Sequence, residues 1–315
     1  MRVGAAGLVL GVLVARTGSG PFVEGVRLTT AWALLAGTVV TAATTACSAW
    51  RWRLVASALG VRLTWGSAVL AIYRSQFLNA TLPGGVLGDV DRAVGHGRDT
   101  GALGRSVRSV VWERTLGQVV QVALTVAVLV VLPSPMRTVG IVGMVGLAGC
   151  AGALLLVRLV VGTTPAVGRA ARALATDLRA VLGSPGNRRG IGLASAGAVA
   201  GHVLVFLVAA RVAGVAGSPY RLVPLAAVVL LAAAVPANIA GWGPREGVAA
   251  WAFAAAGLGA TTGVTVAVVY GVISLVATLP GAVVLVAGGR LASTAPAHAA
   301  LPDLGGRRRE EPVRA

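Results

Sequence analysis

Lysine is absent from the chain, acids number only ten, and cysteine occurs twice in 315 residues. Charged residues of every kind make up 12% of the sequence, about half the roughly 25% of a soluble domain. That leaves too little polar surface to coat a globule, which excludes an ordinary soluble protein. With 56% of residues hydrophobic, a disordered chain is excluded too. Cys47 and Cys150 both sit inside apolar runs, so no disulfide framework and no C-x-x-C metal pattern exists. His96, His202 and His298 lie far apart without a second ligand type beside them, so neither a metal nor another cofactor is expected. His202 lies in an apolar helix, where packing is the simpler role. The Walker-A loop, the G-x-S-x-G elbow and the H-E-x-x-H helix are missing. No soluble domain of useful size follows the last apolar run. An enzyme is therefore not expected.

What is present is hydrophobic length. Mean hydropathy is +0.84, and the apolar residues come in blocks near the 20 residues that cross a bilayer as a helix. The fold expected is all-α, a polytopic integral membrane protein. Its net charge of +17 comes entirely from arginine. Arginines in loops set topology and meet anionic lipid, so membrane phospholipids rather than nucleic acid are the expected partners.

Full spans are expected at Thr29–Ala49, Ser106–Leu132, Val139–Val161, Ile191–Val212 and Thr262–Gly288. The shorter run Val3–Ala15 reads as a thin first span, with a signal-peptide core or a span cut short by a misplaced start codon as the alternatives. About six full spans result. Two further stretches, Trp65–Val94 and Leu222–Leu258, are broken at their centres. The breaks are Pro83, Gly84, Gly85 and Gly88 in the first, and Pro236, Gly241, Gly243 and Pro244 in the second.

Orientation follows the arginines. Arg51, Arg53 and Arg62 fill one loop, Arg158 to Arg189 another, and Arg290 to Arg314 the tail. Placing these in the cytoplasm, with the C-terminus, leaves few arginines outside. Each broken segment must then enter the membrane, turn, and leave on the side it entered. Such backbone is tolerated only where protein or a wet cavity surrounds it. The expected organisation is an inverted-topology repeat. Residues 1–133 form one half with a re-entrant hairpin near 65–94. Residues 134–290 form the other with a hairpin near 222–258, and 291–315 form a disordered basic tail. Leu174–Arg189 reads as a short amphipathic helix and loop on the cytoplasmic lipid surface.

A charge in the hydrocarbon core costs at least about 2.5 kcal/mol even on lenient insertion scales. Arg74, Asp89, Asp91, Arg92, Glu113, Arg114, Arg245 and Glu246 nevertheless fall there or at its edge. Either they form an ion-pair lock that holds the hairpins, or they line a polar cavity that receives a charged headgroup. Pro244-Arg245-Glu246 looks like a helix start, and Asp89 could cap the second arm of the first hairpin. Two helix N-termini with arginines nearby would suit a phosphate. Asn79 and Gln76 add neutral donors. The expected substrate-binding set is therefore Arg74, Asn79, Asp89, Arg92, Glu113, Arg114, Arg245 and Glu246.

Tyr73…Asn79-Ala-Thr-Leu-Pro83-Gly-Gly-Val-Leu-Gly88-Asp89-Val-Asp-Arg92 is followed by Ser109-Val-Val-Trp-Glu113-Arg114. Pro236…Gly241-Trp-Gly243-Pro-Arg-Glu246 and Leu279-Pro280-Gly281 come after. This ordered set, over roughly 25–290, resembles the lysylphosphatidylglycerol synthase transmembrane-region family. That family includes the flippase half of the multiple peptide resistance factor and stand-alone flippase-like membrane proteins. The resemblance implies translocation of a polar or aminoacylated phospholipid, or a related lipid-linked substrate, across a bacterial plasma membrane. It also implies a separate lipid-modifying transferase as partner, because the aminoacyl-transferase domain is missing here. The alternatives are an intramembrane enzyme or an accessory subunit acting on a lipid-linked substrate.

Overall fold

Glycine and proline punctuate the apolar sequence into helices of two lengths. A computed structural model describes residues 18–132, 165–234 and 243–293, with 138 and 142 as isolated positions. Among the described residues, all regular secondary structure is helical. The expected spans at 3–15 and, apart from position 142, at 139–161 lie outside the described residues. So do the breaks at Pro236 and Gly241, and the tail from 294.

The first described half runs α1 (Gly20–Leu28), α2 (Ala31–Ala58), α3 (Trp65–Thr81), α4 (Leu87–Asp99) and α5 (Leu103–Val131). The second runs α6 (Pro165–Leu182), α7 (Pro185–Val212), α8 (Pro219–Ala233), α9 (Pro244–Ala255), α10 (Ala260–Ala277) and α11 (Pro280–Ser293). By length and composition, four segments can cross a membrane: Ala31–Ala58, Leu103–Val131, Pro185–Val212 and Ala260–Ala287. They coincide with four expected spans. Among the described residues the span count is thus four, not the six expected of the whole chain.

Each long segment is apolar over most of its surface, which suits a helix with protein on one face and lipid on the other. Leu35, Val119, Leu193 and Val283 stay exposed on outer faces. Apolar surface on that scale marks a membrane or partner contact. Inside, the buried apolar residues form separate clusters, the largest of which also takes in Ala33 of α2 and Leu129 of α5. Trp52, Ile72, Ala93 and Val110 join α2, α3, α4 and α5. Phe206, Leu225, Phe253 and Val266 join α7, α8, α9 and α10.

α2 and α7 pack together and run antiparallel. Gly190 lies against Leu54, Gly197 against Cys47, and Gly201 against Thr44. The missing side chains let the two backbones approach closely. Four elements recur along the chain at a nearly constant offset. α2 begins at 31 and α7 at 185, α3 at 65 and α8 at 219, α4 at 87 and α9 at 244, α5 at 103 and α10 at 260. The members of the first such pair are therefore antiparallel neighbours.

The first broken stretch is a helical hairpin. α3 ends at Thr81, and Gly84 and Gly85 turn the chain at φ of 93° and 63°, a region that favours glycine. The arms meet where Gly88 packs on the Ser75 carbonyl, into which a Cβ would run. Gly88→Val is expected to cost about 1–3 kcal/mol through overpacking. Thermal unfolding of the detergent-solubilised protein should show the drop, and an unchanged midpoint would mean the arms are loosely packed. In the second stretch α8 packs on α9, and Gly243 opens α9 at a φ of 147°.

Three expectations need correction. The first long helix does not end at Ala49 but runs to Ala58, because Trp52, Val55 and Ala56 continue its buried face. Arg51 and Arg53 are therefore helical, not loop residues. The amphipathic helix begins at Pro165 and ends at Leu182, and Arg188 and Arg189, expected in helix or loop after it, belong to the start of α7. Its Asp177 ties α6 to α5, accepting from Arg108 at 3.0 Å and from Trp112 Nε1 at 3.3 Å. The last span is interrupted at Leu279, where Pro280 starts α11, since proline has no amide to continue the ladder. The break seats Gly281 against the Tyr73 carbonyl on α3.

Candidate functional site

The helix arrangement surrounds a cavity of about 370 Å³ with walls from α2, α3, α4, α5, α7, α8, α9 and α10. That volume falls in the roughly 300–1,000 Å³ range of ligand clefts. The walls carry polar stripes at helical spacing within otherwise apolar helices. Thr41, Ser48 and Arg51 form one on α2, and Arg114, Gln118 and Gln121 one on α5. Ser195 and His202 face it from α7, Tyr270 and Ser274 from α10.

A charge network occupies its first-half wall. Glu113 is buried and pairs with both Arg51 and Arg92, the latter at 2.9 Å. Arg51 also donates to Ser195 Oγ at 3.2 Å, joining α2 to α7. Gly117 on α5 leaves room for its guanidinium, which would sit 2.9 Å from an added Cβ. Asp89 accepts four bonds: Ser75 Oγ at 3.0 Å, Asn79 Nδ2 at 3.2 Å, Arg92 at 3.1 Å and Arg114 at 2.5 Å. Arg92 therefore bridges Asp89 and Glu113. It also lies 4.5 Å from the Trp52 ring centroid, close enough for a cation–π contact. Trp52 is held in turn by Ser109 Oγ, which accepts from its Nε1 at 3.1 Å.

The second-half wall is simpler. Glu246 is fully buried and accepts from Arg245 Nε at 2.8 Å and from the Gly243 amide at 2.7 Å. The latter bond is the backward half of a capping box. Arg245 lies 5.3 Å from the Tyr270 ring centroid. Gly271 makes room for it, since an added Cβ would stand 2.6 Å from Arg245 Nη2. Tyr270 OH is 3.3 Å from His202 Nδ1.

Of the expected site residues, Asn79, Asp89, Arg92, Glu113, Arg114 and Arg245 line the cavity, and Glu246 backs Arg245. Gly85, Gly243 and Pro244 line it as well. Arg74 does not. It pairs with Asp91 at 2.7 Å on the far side of α3 and α4, where both are about one-third exposed. Asp89 does not cap α4: the N-cap is Val86, and Asp89 sits at the third helical position facing Arg92 and Arg114. The Gly88 amide is taken by Asn79 Oδ1 at 2.8 Å, and the Asp89 amide by Val86 O. At the start of α9 the Gly243 amide is held by Glu246 in turn. The cavity offers guanidinium groups.

Arg51 is the charged cavity residue that sequence reasoning placed in a loop. A hydropathy window ends the first span before it, while its ten-residue spacing from Thr41 and three-residue spacing from Ser48 would have put it on the polar stripe. Among the cavity arginines Arg114 stands apart. Its side chain is 48% exposed, against 10% for Arg51, 3% for Arg92 and 10% for Arg245.

A family model described as lysylphosphatidylglycerol synthase TM region matches residues 1–281. No curated protein and no solved structure matches the chain.

Proposed function

The chain belongs to the lysylphosphatidylglycerol synthase TM-region family, and from that premise we propose that it translocates a polar phospholipid across the plasma membrane of a bacterium. The observation that carries this is a polar, arginine-lined cavity inside a body whose outer faces are apolar. Ionisable groups within membrane segments face a pathway or a site by default. The phosphate would meet Arg114 and Arg245 while the acyl chains stay in lipid.

The two broken segments act as re-entrant hairpins around this site. Their arms are 17, 13, 15 and 12 residues long. At 1.5 Å per residue, that is roughly 18–26 Å, short of the ~30 Å hydrocarbon core. The halves form an inverted repeat whose rocking exposes the site to each side in turn. The constant offset of corresponding helices and the antiparallel α2–α7 pair support that arrangement. The activity is transport rather than catalysis, because Asp89, Glu113 and Glu246 each spend their oxygens on arginine or, for Glu246, also on the Gly243 amide, and none is left open to meet a reacting group.

Cysteine labelling in intact cells tests the topology. Single cysteines at positions 60 and 180 should react only from the cytoplasm, and one at 217 only from outside. Labelling of 60 and 180 from opposite sides would remove the inverted repeat. Reconstitution tests the activity: proteoliposomes holding the full chain should expose inner-leaflet phospholipid faster than empty vesicles.

A further inference from the structure

From the charge arrangement of the cavity we infer that it selects an anionic phosphate lipid with a hydroxylated, amine-free headgroup, and disfavours headgroups that carry ammonium. This deepens, and rests on, the lipid translocation proposed above.

A headgroup ammonium needs a carboxylate or an aromatic face. Among the described residues, the carboxylates at the cavity are Asp89 and Glu113, with Glu246 behind Arg245. The other described acids, Glu24, Asp91, Asp99 and Asp177, do not line it. All three cavity carboxylates are committed. Asp89 accepts from Ser75, Asn79, Arg92 and Arg114, which fills the roughly four acceptor sites of a carboxylate. Glu113 holds Arg51 on one oxygen and Arg92 on the other. Glu246 holds Arg245 on one oxygen and the Gly243 amide on the other.

The aromatic faces are occupied in the same manner. Arg92 lies over Trp52 and Arg245 over Tyr270. Among the described residues, each of these two rings already carries a guanidinium, and of the two Tyr270 lines the cavity. Arg51, Arg92, Arg114 and Arg245 against Asp89, Glu113 and Glu246 leave one positive charge in excess. A single phosphate diester neutralises it. The half-exposed Arg114 is placed to take that phosphate.

The remaining lining is neutral and hydrogen-bonding. Ser48, Gln76, Gln118 and Ser274 present hydroxyls and amides. The Oε1 of Gln118 is buried and has no partner among the described residues. An acceptor in that position suits a headgroup hydroxyl. A primary amine on the same headgroup would stand among arginines with no anion left to meet it.

The test uses the full chain in detergent micelles with phosphatidylglycerol carrying a fluorescent acyl chain as the bound probe. Unlabelled phosphatidylglycerol should displace it at concentrations at least ten-fold below those of phosphatidylcholine or lysylphosphatidylglycerol. Arg114→Gln should erase that preference. Equal or better displacement by lysylphosphatidylglycerol or phosphatidylcholine overturns the inference. Soluble glycerol 3-phosphate serves as the arm for a non-lipid source. If it displaces the probe as well as phosphatidylglycerol does, phosphate selection stands and the lipid occupant falls. Translocation in proteoliposomes separates the remaining cases. Lysylphosphatidylglycerol moving as fast as phosphatidylglycerol defeats the selection and leaves transport intact. Selective binding without movement of any lipid defeats transport and leaves the selection intact.

Discussion

Glu113→Gln is expected to reduce the folded yield of the protein sharply. Glu113 is buried and receives two buried arginines, Arg51 and Arg92, from two other helices. Neutralising it leaves Arg51 with Ser195 as its remaining partner among the bonds described, while Arg92 keeps Asp89. Breaking a buried pair by removing one member costs about 3–5 kcal/mol, because the other charge stays behind uncompensated. That is a large share of the 5–15 kcal/mol by which proteins are commonly stable. The double variant Arg51→Gln with Glu113→Gln should recover part of the loss, since it removes the stranded charge together with its partner. Size-exclusion profiles and thermal unfolding in detergent read both effects. A single variant as stable as the parent would mean that Glu113 sits in water and that its arginines are individually hydrated.

The sequence displays the long helices because an apolar block needs no partner to be recognised. The spans at Ser106–Leu132, Ile191–Val212 and Thr262–Gly288 differ from the observed segments by a few residues. Both broken stretches are legible too, since Pro83-Gly84-Gly85 and Gly243-Pro244 interrupt the blocks with residues that disfavour helix continuation. The end of α2 was not legible from charge. Arg51 and Arg53 look like loop residues until the structure supplies Glu113 for one and the Leu63 carbonyl, at 3.1 Å, for the other. Pairing is the property that sequence conceals. Asp89 follows a break and so reads as a cap, yet its partners are Ser75, Asn79, Arg92 and Arg114. Glu113 and Arg114 are adjacent in sequence but point about 100° apart around the helix, so they serve different partners. Arg74 and Arg92 look alike in the first hairpin. Only the packing of α3 on α4 separates them, sending Arg74 to Asp91 outside and Arg92 into the wall.

These partners decide which variant reports on function. Arg92→Gln and Arg245→Gln are attractive from sequence, but each removes a counter-charge from a buried acid, Glu113 or Glu246. Arg114→Gln is cleaner. Asp89 would keep Ser75, Asn79 and Arg92, and the half-exposed Arg114 side chain contributes little to the core. A phosphate held by Arg114 loses a charge-assisted hydrogen bond worth about 1.5–3 kcal/mol. At ~1.4 kcal/mol per factor of ten, translocation should fall ten-fold or more while thermal stability stays close to that of the parent. Substituting Arg211, exposed in the last turn of α7, should leave transport unchanged.

The most direct measurement is therefore the rate at which phosphatidylglycerol labelled on an acyl chain crosses the bilayer in proteoliposomes. It compares the parent chain, Arg114→Gln and Arg211→Gln at matched folded protein. Rapid crossing with the parent and with Arg211→Gln, and a ten-fold or greater loss with Arg114→Gln, is the expected result. Crossing by the parent no faster than in empty vesicles, or equal crossing by the parent and Arg114→Gln, would contradict a flippase that handles phosphate through this cavity.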